Sequence, residues 1–267
     1  GFGRRRFWRR RFWRRRFRCW RRGGHGFVDL ERSLEESCDI YYYLLGQRLG
    51  IDTMAEWLGR FGFGRRTDLD PRFEAEGLVG TPEWSRRVRK TAWYAGDAVS
   101  VSIGQGPVLA TAVQLAAAYA TLANRGRATT PHLVAAEREP EREIGLDPHD
   151  LAEVTAALAR VVHGSQGTAR RLAGLPIAGK TGTAQVVRLQ EGVSSADLAP
   201  KLRHHALFVG WAPLDDPSLV VAVLVEHGGD GASAAAPVVG RVIAAHLQQD
   251  GAEAENVTPA APATEDR

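Results

Sequence analysis

Hydrophobic positions recur at helical spacing through the first two thirds of the chain and as compact apolar runs near its end. The first such set predicts one amphipathic helix with Asp29 as its N-cap. Its apolar positions are Leu30, Leu34, Cys38, Tyr41, Leu45 and Leu49. A second helix is predicted to begin at the cap Asp52 and to end at Gly62 and Gly64. Residues 65–106 are rich in Gly, Pro and Asp, which predicts an irregular excursion.

The second half of the chain predicts two further capped helices and a hairpin. A capping box at 111–114 starts an Ala-rich helix to about Asn124, and Asp147 caps a helix over 148–162. Apolar runs at 205–211 and 219–225 flank a Pro- and Asp-containing turn, which favours an antiparallel pair. A last helix, starting at Pro237, is suited to cover one face of that sheet. The pattern therefore predicts an α+β fold, with an antiparallel sheet covered by helices.

Charge divides the chain into a short cationic arm and an acidic body. The chain has 267 residues and a formal charge of +4, yet residues 1–22 alone hold twelve Arg and no acid. The remainder therefore carries −8, which is +4 less those twelve charges, and nucleic-acid binding is not expected of it. Residues 1–17 repeat Arg, Phe and Trp and are predicted to be a disordered low-complexity arm, with membrane or nucleic-acid binding as an alternative. The body is 18–250, and 251–267 is predicted to be a disordered tail.

Neither cysteine usage nor hydropathy points to a disulfide framework or a membrane span. Cys19 and Cys38 are the two cysteines, and they do not suggest a disulfide scaffold. The sequence pattern predicts no metal site and no cofactor. It also contains no apolar run of about 18 residues and no signal peptide, so any export signal is expected to lie outside this sequence.

The stretch 179–185 places an ammonium, two hydroxyls and a glycine together ahead of a β-branched run. Gly174 to Thr181 also fits the phosphate-binding pattern G-x-x-x-x-G-K-[ST]. That pattern needs a helix starting at Lys180, whereas Pro176, Gly182 and the following residues favour a strand. A plain turn before a strand is a further alternative. The interpretation that we favour is the K-T-G strand of penicillin-binding enzymes and β-lactamases.

Ser37 and Asp39 form a second candidate pair of polar residues, inside the first predicted helix. On an unbroken helix their side chains would point about 200° apart. Their cooperation therefore requires a break or loop at Cys38. Alone this is a weak signal, but together with Lys180, Thr181 and Gly182 it becomes strong.

With these motifs in order, residues 18–250 resemble the C-terminal part of the transpeptidase domain of penicillin-binding protein 2, the elongation-type peptidoglycan D,D-transpeptidases. The segments that carry the resemblance are Gly23-Gly24-His25-Gly26, Ser37-Cys38-Asp39 with Tyr41–Tyr43, Phe61-Gly62-Phe63-Gly64, Thr81-Pro82-Glu83-Trp84, Ile103-Gly104-Gln105-Gly106 before the Gln114 helix, Gly167-Thr168-Ala169 and Lys180 to Gln185. The resemblance implies the penicillin-binding/β-lactamase-like transpeptidase fold. It also implies acyl transfer through a serine ester, from D-Ala-D-Ala stem peptides to an amine.

The resemblance assigns roles to five residues. Ser37 and Asp39 would relay protons, and Lys180 would complete a positive field. Thr181 and Thr183 would bind the terminal carboxylate of the peptide, beside Gly182, and the Thr183 amide would be an oxyanion donor. It implies stem peptides and β-lactams as ligands, and a membrane glycosyltransferase and the elongation machinery as partners of the intact protein. It implies a bacterial inner-membrane protein with a periplasmic catalytic domain.

One family motif is absent from the sequence. The chain has three lysines, and none is preceded three residues earlier by a hydroxyl residue; those positions are Arg87, Ile177 and Leu198. The nucleophile and base of S-x-x-K, the helix that carries them, the membrane anchor and the dimerisation region are therefore expected to be missing, and the fold to be incomplete on its N-terminal side. We expect a fragment that is inactive alone. A β-lactamase or D,D-carboxypeptidase relative, and a non-catalytic fragment with a cationic arm, are the alternatives.

Overall fold

The computed structural model describes residues 17–21, 23–70, 72–134, 140–187, 193 and 195–256. These residues form seven α-helices: α1 (Leu30–Glu35), α2 (Asp39–Arg60), α3 (Pro82–Trp84), α4 (Ala95–Val101), α5 (Ala112–Ala123), α6 (Pro148–His163) and α7 (Ala236–Asn256). Except for residue 17, the predicted arm lies outside the described residues, as does 257–267 of the predicted tail. Within the described part of the chain, none of the helices combines the length and apolar character that crossing a bilayer requires.

The principal sheet has three antiparallel strands that are neighbours in the order in which they follow along the chain. These are β5 (Ala178–Ala184), β6 (His205–Ala212) and β7 (Leu219–Val225), and the short strands are β1 (Leu78–Val79), β2 (Val108–Leu109), β3 (Arg127–Ala128) and β4 (Arg142–Glu143). The predicted hairpin is confirmed, because β6 and β7 pair from Ala206 with Val225 to Ala212 with Leu219. The short strands form two separate antiparallel pairs, β1 with β2 and β3 with β4.

Both faces of this sheet are buried under helices. Because side chains alternate along a strand, Phe208 of β6 faces one side and Trp211 the other. Phe208 belongs to a core cluster that includes Val239 and Ile243 of α7. Trp211 packs with Leu158 of α6, in a cluster that α1 and α5 also border. The sheet is therefore covered by α7 on one face and by α5 and α6 on the other, which confirms the α+β prediction.

Local signals placed several helix ends correctly. Asp29 caps α1 by accepting a hydrogen bond from Arg32 N, and Asp147 caps α6 through the amides of 149 and 150. The predicted capping box at 111–114 also forms, at the N-terminus of α5. Each of these caps satisfies backbone N–H groups that the first helical turn leaves without partners.

Four predicted boundaries differ from those in the structure. The first helix does not continue through Cys38, because the chain breaks between α1 and α2. A kink at Gly50, with φ of 76° and ψ of 165°, divides α2 into two helical segments, so the second segment begins two residues before its predicted cap Asp52. The excursion at 65–106 includes the helix α4, which begins where the Asp97 carboxylate accepts the Tyr94 N–H at 2.8 Å. α7 ends at Asn256, inside the predicted tail.

Candidate functional site

Lys180 reaches its site because of the face that it occupies on β5. It lies opposite Val209 of β6 and shares a face with Ala178, two residues earlier, which packs in the cluster with Leu158 of α6. Helix α1 packs against α6. The Lys180 side chain therefore points from the sheet towards the end of α1.

The break after α1 presents Ser37 to this lysine. Ser37 has φ of 53°, a left-handed conformation that is uncommon for a residue other than glycine. In this conformation its hydroxyl Oγ accepts a hydrogen bond of 2.8 Å from Lys180 Nζ, across 143 residues of sequence. The helix is thus broken at the Ser37 motif, as cooperation within that motif required. The break brings the Ser37 motif into direct contact with the Lys180 motif.

The ammonium of Lys180 is bound by oxygen atoms but poorly solvated. Nζ also donates to the Thr181 carbonyl at 3.1 Å. Burial lowers the pKa of Lys180 to about 8, against a partly opposing attraction from Asp39. Burial likewise raises the pKa of Asp39, opposed by the Trp20 amide, Cys19 and Lys180. The site therefore holds an amine that can gain or lose a proton near neutral pH.

Asp39 faces the segment 17–21 rather than the Ser37 hydroxyl. Its Oδ2 accepts the Trp20 backbone N–H at 3.0 Å, and the Trp20 indole N–H donates to the Ser37 carbonyl at 2.9 Å. Trp20 thus holds the backbone on which both predicted residues lie. Sequence reasoning missed this role, because nothing local relates Trp20 to residues so far along the chain.

Two further residues that were not assigned a role contact the part of β5 that was predicted to bind substrate. The hydroxyls of Thr168 and Thr181 share a hydrogen bond of 2.8 Å, and Gln105 Nε2 donates to the Thr183 carbonyl at 2.9 Å. Thr183 is exposed, and Gly182 between the threonines lies opposite Leu207. Thr168 and Gln105 lie in segments that supported the family resemblance, and their polar character was the available signal.

The arrangement suits a carboxylate rather than a nucleotide phosphate. Lys180 and Thr181 lie inside strand β5, whereas a P-loop places its lysine at the N-terminus of a helix. The structure therefore contradicts the P-loop alternative. An ammonium beside two hydroxyls on a strand supplies donors of the kind that bind a carboxylate.

The described residues contain one group of side chains that could hold a metal ion. The donor atoms of Cys19, His25 and Cys38 lie within 4.8 Å of one another. The His25 side chain is buried, and its Nε2 has no hydrogen-bond partner, although it lies 3.9 Å from a Glu36 oxygen. Two thiols and an imidazole are donors that Zn²⁺ favours. The sequence pattern had not predicted a metal site here, because the spacing of these three residues matches no common ligand motif.

The comparisons with known proteins agree with the geometry of this site. The family model described as penicillin binding protein transpeptidase domain matches residues 7–244. The peptidoglycan D,D-transpeptidase MrdA of Acinetobacter baumannii is 40% identical over 231 residues, which cover 82% of this chain and 34% of that protein. These matches favour the transpeptidase interpretation over the β-lactamase, carboxypeptidase and non-catalytic alternatives.

Solved structures agree in fold as well as in sequence. Pseudomonas aeruginosa PBP2 in complex with WCK 5153 superposes with a TM-score of 0.76 at 40% identity, covering 88% of this chain and 51% of that one. The complex of Helicobacter pylori PBP2 with MreC gives a TM-score of 0.81 at 28% identity, covering 91% of this chain and 44% of that one. The chain thus spans about a third to a half of the length of these proteins. By the extent of the family match, its fold and its two joined motifs, the chain belongs to the penicillin-binding protein transpeptidase family.

Proposed function

We propose that this chain is the part of an elongation-type peptidoglycan D,D-transpeptidase that binds the D-Ala-D-Ala end of a stem peptide. The observation that carries this proposal is the 2.8 Å hydrogen bond from Lys180 to Ser37, next to the paired hydroxyls of Thr168 and Thr181. Binding of the terminal carboxylate falls to Lys180, Thr181 and Thr183, because they supply positive charge and hydroxyl donors on one strand.

The remaining roles concern the reacting carbonyl. In the proposed chemistry a serine attacks the penultimate D-alanine carbonyl, terminal D-alanine leaves, and an amine of a second peptide takes the acyl group. Ser37 and Lys180 exchange protons through their hydrogen bond, and the Lys180 pKa of about 8 suits such an exchange. The Thr183 N–H stabilises the oxyanion, and Asp39 supports the charge of Lys180.

We further propose that the chain does not form an acyl-enzyme by itself. No lysine of the printed sequence follows a hydroxyl residue at the S-x-x-K spacing. The chain, incubated with a fluorescent penicillin and run on a denaturing gel, should show no labelled band. A covalent band that disappears on competition with ampicillin would overturn this part of the proposal.

Binding of the peptide end is tested separately from covalent chemistry. A diacetyl-lysyl-D-alanyl-D-alanine peptide should bind the chain more tightly than the same peptide with a C-terminal amide. Thr181→Val should reduce this preference by roughly tenfold, the worth of one hydrogen bond to a charged group. Equal affinity for the carboxylate and the amide in the unmodified chain would count against the proposed function.

The partners and location of the intact protein form a further part of the proposal. H. pylori PBP2 has been solved with MreC, and a peptidoglycan synthase complex that coordinates polymerization and crosslinking also matches this chain, with a TM-score of 0.72. We infer that the intact protein acts in the periplasm from an inner-membrane anchor, beside a glycosyltransferase and the elongation machinery, and that β-lactams bind its active site. Co-purification of the full-length protein with its glycosyltransferase from membranes tests this, and recovery of the full-length protein without it would argue against the association.

A further inference from the structure

Glu35 is a buried carboxylate that the proposed chemistry does not use. It is the last residue of α1 and only 2% exposed. One carboxylate oxygen accepts the Gln166 backbone N–H at 2.8 Å, and the other accepts Arg160 Nε at 3.1 Å. Burial of a carboxylate is costly unless such donors compensate it. Both donors come from the end of α6 and the loop that follows it, so Glu35 fixes that loop to α1.

The close fit of this loop depends on a glycine. A Cβ atom at Gly164 would overlap Glu35 Oε1 and the Arg160 carbonyl oxygen. The loop therefore lies directly against the carboxylate, with no space for a larger residue.

The same residue fixes Thr168 through its backbone. The Glu35 carbonyl accepts the Thr168 N–H at 3.3 Å, and the Thr168 hydroxyl is hydrogen-bonded to that of Thr181. The chain that leaves Glu35 in the other direction reaches Ser37, which is bonded to Lys180. Glu35, Ser37, Lys180, Thr181 and Thr168 thus form a closed ring of covalent and hydrogen-bonded links.

The need to neutralise the charge of Arg160 does not by itself explain why a carboxylate is buried at Glu35. Glu31 Oε1 already lies 2.8 Å from Arg160 Nε, at a more exposed position. What Glu31 does not supply is the contact with the loop amide of Gln166. We propose that Glu35 is a positioning residue, which acts through Thr168 to orient the Thr181 hydroxyl towards the carboxylate of the bound peptide. This inference rests on the proposed function of Thr181.

Glu36 provides a matched control. It is also 2% exposed and adjacent to Ser37, but its carboxylate accepts hydrogen bonds from Arg32 and Arg21, not from the loop after α6. Glu35→Gln and Glu36→Gln therefore each remove one buried negative charge at the same end of α1. A merely structural role predicts similar consequences for both variants.

The first readout does not depend on function. In the full chain with labelled threonine methyl groups, Glu35→Gln should shift the NMR signals of Thr168 and Thr181, whereas Glu36→Gln should leave both nearly unchanged. Thr168→Ser and Thr181→Ser variants assign the two signals. Unchanged Thr181 signals in Glu35→Gln, or equal shifts in both variants, would overturn the inference.

The second readout is the ratio of the affinities for the D-Ala-D-Ala peptide carboxylate and its C-terminal amide. Glu35→Gln should reduce this ratio by roughly tenfold, the effect of one hydrogen bond to a charged group, and Glu36→Gln should preserve it. Thr168→Val should reduce it similarly and Thr168→Ser should retain it, because serine keeps the hydroxyl. Glu35→Gln should add no further loss to Thr168→Val.

The outcomes separate this inference from the proposed function. If the unmodified chain does not prefer the carboxylate, the proposed function fails and the methyl signals alone decide the role of Glu35. If the unmodified chain prefers it and the two Gln variants behave alike, the positioning role fails. Should Glu35→Gln not fold, Thr168→Val decides, because a full preference for the carboxylate without the Thr168 hydroxyl would overturn the inference.

Discussion

Removal of the Ser37 hydroxyl should lower the pKa of Lys180 further. The hydroxyl Oγ accepts from Nζ at 2.8 Å, and the ammonium lies in a poorly solvated site where its pKa is already about 8. A hydrogen bond to a charged group contributes about 1.5–3 kcal/mol and one between neutral groups about 0.5–1.5. The charged form thus loses about 1 kcal/mol more than the neutral amine in Ser37→Ala. Since 1.36 kcal/mol corresponds to one pKa unit, the pKa should fall to about 7.

The small number of lysines makes this measurement direct. The chain contains three, so NMR of ¹³Cε-lysine gives three signals, and Lys180→Arg identifies the one of interest. The midpoint of its titration should lie near 8 in the unmodified chain and near 7 in Ser37→Ala. Ser218→Ala, in the turn between β6 and β7, is the control and should leave the midpoint unchanged. A midpoint in Ser37→Ala equal to or above that of the unmodified chain would show that the Ser37 hydroxyl does not stabilise the charged form of Lys180.

The same shift fixes how Lys180 contributes to stability as the pH changes. Its pKa is about 8 in the folded chain, against an unperturbed 10.5. Between these values the unfolded chain binds more protons, so the contribution of Lys180 to the free energy of unfolding increases as the pH rises from about 8 to 10.5. Below about pH 8 the folded chain carries the full cost of burying the charged amine, which lowers the free energy of unfolding by about 3 kcal/mol. Lys180→Met should abolish this pH dependence in urea unfolding at pH 8 and 10.

Further predictions concern other contacts of the fold and site. Asp39→Asn should lower the Lys180 pKa in the same NMR titration, because it removes the attraction that favours the charged amine; an unchanged pKa would contradict this. Gly164→Ala should destabilise the chain by about 1–3 kcal/mol in urea unfolding through overlap with Glu35, whereas Gly59→Ala in helix α2, with open space around it, should stabilise by about 0.5–1 kcal/mol; equal effects would contradict the contact. Asp147→Ala should cost about 1 kcal/mol by loss of the cap of α6, and no change in thermal midpoint would count against it.

Short-range chemistry explains what the sequence predicted well. The caps at Asp29 and Asp147 depend on residues within one helical turn, and the β6–β7 hairpin depends on two apolar runs and the turn between them. Such features are encoded locally, so pattern and residue type suffice. The break at Ser37 was predicted only conditionally: the apolar spacing predicted a continuous helix, and cooperation between Ser37 and Asp39 required that helix to be interrupted.

Contacts between distant segments explain what the sequence did not reveal. Gly50 has backbone dihedral angles outside the helical range and kinks α2, so the second helical segment begins two residues before the predicted cap Asp52. The contact of Trp20 with Asp39 and the bonds of Glu35 to the loop after α6 join residues with no local relation. Only the packing of α1 on α6 brings Glu35 close to the loop after α6. The residues that position the site were therefore harder to predict than the residues that line it.

We propose above that this chain binds the D-Ala-D-Ala end through Lys180, Thr181 and Thr183 and does not attack it. One NMR sample containing the chain and an excess of diacetyl-lysyl-D-alanyl-D-alanine tests both parts over several hours. We expect the terminal D-alanine signals to broaden or shift on addition of protein, and no free D-alanine to accumulate. Accumulation of free D-alanine, or peptide signals that are unaffected by the protein, would contradict it.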